Sequence, residues 1–192
     1  MSRLKTILAL GDSLTEGFGV PADAAFPCVL QQLLRQRGHI VSIINHGLSG
    51  DTVGGGKKRL ERYLTTRPRP DAVIVALGAN DAFQRNDPWD VEASLDGILQ
   101  RLTEEDIPCL FAGMQVLDAV PSSEDGYASA FSAIYPKLAE RYEPVFCPFF
   151  LEGVAGNAAL HQADGIHPNR EGTALVARHM LPYAETLLNL SR

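Results

Sequence analysis

The sequence predicts an α/β fold, a three-layer αβα sandwich with a parallel sheet of about five strands and helices on both faces. Short apolar segments alternate with segments of helical spacing along the whole chain. The clearest apolar runs are continuous, which is typical of strands buried on both faces. Because no repeat, linker or low-complexity tract divides the 192 residues, we expect a single domain over residues 1–192.

Glycine and proline separate the predicted elements. Gly11 and Gly78 end two of the apolar runs, while Gly38 and Pro68 stand where two helical patterns stop. In chain order, the predicted elements are a strand at 6–10, a helix at 26–37, a strand at 40–44, a helix at 55–66, a strand at 71–77, a helix at 90–105, a strand at 108–114, a helix at 127–141, a strand at 144–149 and a helix at 171–188.

The turns after the first four predicted strands contain Ser13, Gly50, Asn80 and Gln115. In open parallel sheets, ligands bind beyond the carboxyl ends of the strands. We therefore expect these four turns to meet at one edge of the sheet and to form the functional site.

Ser13 lies in the segment GDSLT, residues 11–15, directly after the first predicted strand. A serine becomes an effective nucleophile when a neighbouring base takes its proton. A strand-to-helix turn exposes the hydroxyl for this role. The alternative interpretation is structural, because Asp and Ser are also common helix N-caps.

The segment DGIHPN, residues 164–169, supplies a base for that serine. Asp164 lies three residues before His167, so its carboxylate is placed to orient the imidazole and stabilise the imidazolium. Asp164 also lies three residues after His161, which makes His161 the rival base. A surface histidine without catalytic function is the other alternative.

Two further positions supply donors for an oxyanion. Gly50 brings a bare backbone N–H close to a substrate, and Asn80 offers a side-chain amide. Each has a structural alternative, a plain turn for Gly50 and an Asx turn for Asn80. Ser49 stands in a near match to G-x-S-x-G whose fifth position is Asp, so we expect no nucleophile there.

Composition disfavours several classes of partner. The net charge of −6 opposes nucleic acid and anionic membranes, and no apolar run reaches the roughly 18 residues of a membrane span. We interpret the basic cluster of Lys57, Lys58 and Arg59, with Arg62 and Arg67, as the solvated face of a helix. A phosphate loop at 54–58 is disfavoured because the spacing fails. No signal peptide is recognisable, which predicts a cytoplasmic protein, or a periplasmic or secreted one if a leader was removed.

Four blocks, in order, resemble those of the SGNH (GDSL) hydrolases. They are GDSL at 11–14, Gly50, GAND at 78–81 and DGIHP at 164–168. Asn45 with SGDT at 49–52, and GMQ at 113–115, are similar to the bacterial thioesterase I, lysophospholipase L1 and arylesterase branch. The resemblance implies a flavodoxin-like sheet, Ser13 as nucleophile, and an oxyanion hole from Ser13, Gly50 and Asn80. It also implies no metal and no organic cofactor.

Substrate preference is predicted from apolar residues that flank these blocks: Phe83, Val116, Leu117 and Ile166. The alternative is that they are ordinary core residues. The stretch 116–121 departs from the resemblance in a region that shapes the acyl pocket. We expect a serine esterase for short-chain or aryl esters, acyl thioesters and lysophospholipids. A carbohydrate O-acetyl esterase, acyl transfer to an alcohol and a silent acyl-ligand binding protein are the alternatives.

Overall fold

The computed structural model describes residues 3–116 and 126–191, which include a five-stranded parallel sheet. The strands are β1 Lys5–Gly11, β2 Val41–Gly47, β3 Ala72–Ala76, β4 Cys109–Ala112 and β5 Val145–Cys147. Their order is β2-β1-β3-β4-β5, and every neighbouring pair is parallel. This is the flavodoxin-like order, so the predicted sheet is confirmed.

Seven α-helices occur in the described part of the chain. They are α1 Ser13–Glu16, α2 Phe26–Gln36, α3 Val53–Thr66, α4 Ala79–Gln84, α5 Pro88–Glu104, α6 Tyr127–Tyr142 and α7 Arg170–Leu190. α1 and α4 were not predicted, because helices of four and six residues are too short to show a period. Both follow a strand directly, and they carry residues of the predicted site.

The order of the strands places the helices on two faces. The connection through α2 moves from β1 to one edge, whereas the connections through α3, α5 and α6 move towards the other edge. Because such crossovers are right-handed, the two directions put their helices on opposite faces. The packing agrees, since α2 contacts α7, while α3 contacts α5 and α5 contacts α6. The predicted three layers are confirmed.

The glycine run at 54–56 lies inside α3, where close packing accounts for two of its three residues. A Cβ on Gly55 would stand 1.8 Å from Asp51 Oδ1, and one on Gly56 would stand 2.3 Å from Leu77 Cδ1. Thr52 caps the helix by accepting the Gly55 N–H. These contacts explain Gly55 and Gly56 without a phosphate.

Candidate active site

Ser13 lies at the start of α1, where β1 has just ended. The preceding Asp12 caps this short helix, because its Oδ1 accepts the Leu14 N–H at 2.9 Å. Asp12 is fully buried, and burial raises its pKa to about 7. Ser13 is 8% exposed. The capping interpretation therefore holds for Asp12, while the Ser13 hydroxyl stays available for another contact.

His167 makes that contact. Its Nε2 lies 3.0 Å from Ser13 Oγ, and its Nδ1 lies 2.7 Å from Asp164 Oδ2. The other carboxylate oxygen accepts the backbone N–H groups of Ile166 and His167 at 2.9 and 3.0 Å. The hydrogen bond from His167, with those two N–H groups, lowers the pKa of Asp164 to about 2. Asp164 is therefore ionised at neutral pH and is held in place by its own loop.

The rival base makes a different contact. His161 Nδ1 lies 2.8 Å from the Asn157 carbonyl oxygen, so that ring nitrogen is engaged by the backbone. The structure brings His167, and not His161, against Ser13 and Asp164. The three residues predicted as nucleophile, base and orienting acid thus form one hydrogen-bonded chain.

Gln162 connects the loops that carry Ser13 and His167, and it was missed in the sequence. Its Nε2 donates to the carbonyl of Phe18 at 2.7 Å and to that of Pro168 at 3.0 Å. The Phe18 ring packs on the His167 ring with centroids 4.6 Å apart. The absence of a side chain at Gly19 accommodates the Gln162 amide, because a Cβ there would stand 2.0 Å from Gln162 Oε1. No spacing rule marks a glutamine that contacts two loops distant in the sequence.

Gly50 and Asn80 lie in the turns after β2 and β3. Gly50 has φ +79°, a left-handed conformation that favours glycine, and no atom lies within 4 Å of the position its Cβ would take. Asn80 Nδ2 donates to the Asp51 carbonyl at 2.9 Å, which joins the two turns. An amide has two hydrogens, so the second is available to a ligand. Gln115, in the turn after β4, is exposed.

Arg59 holds the ends of β1 and β2 together. Its guanidinium donates to the Gly11 carbonyl at 2.7 Å, to the His46 carbonyl at 2.6 Å and to Asp51 Oδ2 at 2.7 Å. The prediction that the whole basic cluster is a solvated helix face is therefore wrong for Arg59. Its side chain is only 19% exposed, because α3 begins at the same sheet edge and points this residue back towards it.

Ser49 is held by Glu16, the last residue of α1. Both the Ser49 hydroxyl and its N–H donate to Glu16 Oε2, the latter at 2.7 Å. A carboxylate acceptor of this kind fixes the turn that contains Gly50. The expectation that Ser49 is not the nucleophile agrees with these contacts, and Glu16 is a second positioning residue that the sequence did not reveal.

Asp81, the residue after Asn80, makes structural contacts. It accepts the Val53 N–H at 2.8 Å and the Asn86 amide at 3.0 Å, both neutral donors. Burial raises its pKa. Asp81 thus connects α4 to the start of α3.

The predicted substrate-contact residues have different environments. Phe83 is 49% and Ile166 43% exposed, in segments that carry Asn80 and His167. Phe18 and Leu48 are further exposed apolar residues beside Ser13 and Gly50 in the sequence. Val116 packs partly buried against the core, as the alternative interpretation held. Leu117 lies outside the described residues.

Residues 3–116 and 126–191 contain neither a cluster of metal ligands nor a membrane-spanning helix. There, no group of three or more His, Cys, Asp or Glu residues is arranged to hold a metal ion. No helix of this part is long and apolar enough to cross a bilayer.

A serine, a histidine and a carboxylate in one hydrogen-bonded chain, with candidate oxyanion donors at the same sheet edge, define the serine hydrolase class. The chain belongs to the GDSL-like lipase/acylhydrolase family, whose model matches residues 9–175. Acylhydrolases cleave acyl groups from esters or thioesters with water, and the chain is a carboxylic ester hydrolase of this kind.

Known proteins support the family assignment. The chain is 37% identical over 185 residues to thioesterase 1/protease 1/lysophospholipase L1 of Escherichia coli K12, covering 96% of this chain and 85% of that protein. It is 33% identical over 171 residues to an arylesterase of Vibrio mimicus, covering 89% and 84%. The crystal structure of TesA matches with a TM-score of 0.88 and 31% identity, covering 95% of this chain and 99% of that one.

Proposed function

We propose that Ser13 forms an acyl-enzyme during ester hydrolysis, with His167 as its base and Asp164 as the residue that orients His167. The observation that carries the proposal is the 3.0 Å contact between Ser13 Oγ and His167 Nε2. The other ring nitrogen, Nδ1, lies 2.7 Å from Asp164 Oδ2. Proton transfer from Oγ to Nε2 accompanies formation of the bond between Oγ and the acyl carbon. The Asp164 carboxylate stabilises the imidazolium that results.

The tetrahedral intermediate then requires donors for its oxyanion. We assign this role to the N–H groups of Ser13 and Gly50 and to the Asn80 amide. The contact between Asn80 and the Asp51 carbonyl supports the assignment, because it fixes one donor relative to the turn that contains the other. His167 returns the proton to the leaving alcohol or thiol. It then activates a water molecule, which attacks the acyl-enzyme and releases the acid with Ser13 restored.

The proposed substrates are short-chain or aryl esters, acyl thioesters and lysophospholipids. Exposed apolar residues next to the reacting groups in sequence, Phe18, Leu48, Phe83 and Ile166, favour an apolar acyl or aryl group. The names of the relatives, a thioesterase and lysophospholipase and an arylesterase, point to the same classes. Water is the proposed acyl acceptor.

Hydrolysis of p-nitrophenyl acetate, a medium-chain acyl thioester and an acetylated sugar by the purified protein tests both parts of the proposal. We expect turnover of the first two, little turnover of the sugar, and loss of activity in Ser13→Ala. Ser49→Ala is the matched control, because that serine occupies the same sheet edge and its backbone N–H keeps the contact to Glu16 when the hydroxyl is removed. Retained activity in Ser13→Ala contradicts the mechanism, whereas a preference for the sugar contradicts only the substrate assignment.

A further inference from the structure

A cleft lies between the edge strand β2 and the helix α3, separate from the Ser13 site. Its volume is about 470 Å³, and its walls are formed by His46, Arg59, Arg62, Tyr63, Thr66 and Arg67. We call it the β2–α3 cleft. Four of these residues come from the last two turns of α3 and the residue that follows them, and none of the six belongs to the hydrogen-bonded chain of Ser13, His167 and Asp164.

The lining of the cleft carries three arginines and no carboxylate. Asp51 pairs with Arg59, but this carboxylate is not part of the lining. Glu61, the acidic residue of the same helix, turns away and pairs with Arg101 of α5 at 3.2 Å. Arg62 and Arg67 are exposed, and within the described residues neither guanidinium has an acceptor at hydrogen-bond distance. In a chain of net charge −6, this cleft therefore concentrates positive charge.

The uncharged residues of the lining complete a set of polar groups. Tyr63 offers a phenol, and its ring lies edge-on to the His46 ring with centroids 5.5 Å apart. His46 Nε2 is buried and has no hydrogen-bond partner in the described part of the chain. Buried polar atoms normally have a partner, so an unpartnered nitrogen in a cleft wall suits a ligand that supplies one.

We propose that the β2–α3 cleft binds the phosphate group of a phosphorylated ligand. Guanidinium groups present planar, paired donors that match phosphate oxygens, and Arg62 and Arg67 have these donors free for a ligand. The cleft volume accommodates more than one phosphate together with part of the organic group that carries it. This site goes beyond ester hydrolysis and does not rest on the roles assigned to Ser13 and His167.

Calorimetric titration with inorganic pyrophosphate at low salt tests the site. Wild type is expected to bind one equivalent, and Arg62→Gln/Arg67→Gln to bind about tenfold more weakly or not at all. Lys58→Gln/Arg178→Gln removes the same two charges from exposed positions outside the cleft and is expected to bind within about twofold of wild type. Unchanged p-nitrophenyl acetate hydrolysis in both double variants shows that they are folded.

No binding to wild type, or equal weakening in the two double variants, overturns the proposal, because the second result would mean general charge attraction. Co-sedimentation with phosphatidylglycerol vesicles identifies the source of the phosphate. Vesicle binding that is lost in Arg62→Gln/Arg67→Gln and displaced by pyrophosphate assigns a lipid head group. Pyrophosphate binding without vesicle binding assigns a free phosphorylated compound.

Discussion

The Arg59 guanidinium donates a 2.7 Å hydrogen bond to the carbonyl of Gly11, the last residue before Asp12 and Ser13. The same side chain donates to the His46 carbonyl and pairs with Asp51, whose own carbonyl accepts from Asn80. One cation thus joins the strand end that carries Ser13 to the turn that carries Gly50. We infer that Arg59 positions the proposed nucleophile and oxyanion donors without contacting the substrate.

Replacing Arg59 by methionine should destabilise the protein and lower its kcat. The change leaves two backbone carbonyls and the Asp51 carboxylate without their donor, which costs about 2–4 kcal/mol for a largely buried pair. Urea unfolding and steady-state kinetics measure the two effects, and kcat should fall more than KM rises. Arg62→Met, one turn later in α3, is the control and should leave kcat unchanged. An Arg59→Met variant with wild-type kcat would show that the network does not position the site.

Asp164→Asn should reduce kcat by about 10²–10⁴-fold, because an amide cannot stabilise the imidazolium and favours the wrong tautomer. Stopped-flow hydrolysis of p-nitrophenyl acetate measures the change. His161→Ala removes the rival histidine, whose Nδ1 contacts the Asn157 backbone carbonyl, and should have little effect on kcat. Full activity of Asp164→Asn would remove Asp164 from the mechanism.

The same carboxylate gives a pH dependence of stability. Its pKa is lowered from 3.8 to about 2 in the folded protein, chiefly by the hydrogen bond from His167. Its contribution to stability is therefore present above about pH 4 and is lost as the pH falls through 2. The difference in unfolding free energy between wild type and Asp164→Asn should therefore shrink as the pH falls from about 4 through 2.

Asp12 has the opposite pH dependence. Burial raises its pKa from 3.8 to about 7, so the folded state keeps a proton that the unfolded chain has lost. Stability should fall as the pH rises from about 4 to 7 and then level off. Asp12→Asn keeps an oxygen for the Leu14 N–H and removes the ionisation. We expect it to match wild type near pH 4 and to be about 2–4 kcal/mol more stable at pH 8. An equal difference in unfolding free energy between the two proteins at pH 4 and at pH 8 would contradict the burial argument.

Asn80→Ala should leave the protein folded and reduce kcat by about 10²–10³-fold, the usual cost of one lost oxyanion donor. Asn86→Ala is the matched control, because it removes an amide from the same region that contacts Asp81 and not the Asp51 turn. Steady-state kinetics with both variants, together with their melting temperatures, separates catalysis from stability. Wild-type turnover in Asn80→Ala would contradict its assignment as an oxyanion donor.

The sequence predicted the sheet, the main helices and the meeting of Ser13 with His167, because these depend on local pattern and on strand ends that share an edge. It did not predict the contacts of Arg59, Glu16 and Gln162. Each of these side chains contacts residues that are distant in the sequence. For Arg59, which lies in a basic helix, no sequence pattern distinguishes a side chain that points inward from one that faces solvent. Long-range hydrogen bonds of this kind emerge only once the turns are placed in space.

The most direct test of the central assignment is mass spectrometry after labelling with a fluorophosphonate probe. Such probes form a stable bond with an activated serine. We predict one adduct per chain, located on Ser13, that is absent in Ser13→Ala, strongly reduced in His167→Ala, and retained in Ser49→Ala. An adduct on another serine, or a folded wild-type protein that hydrolyses esters without labelling at Ser13, would contradict the account.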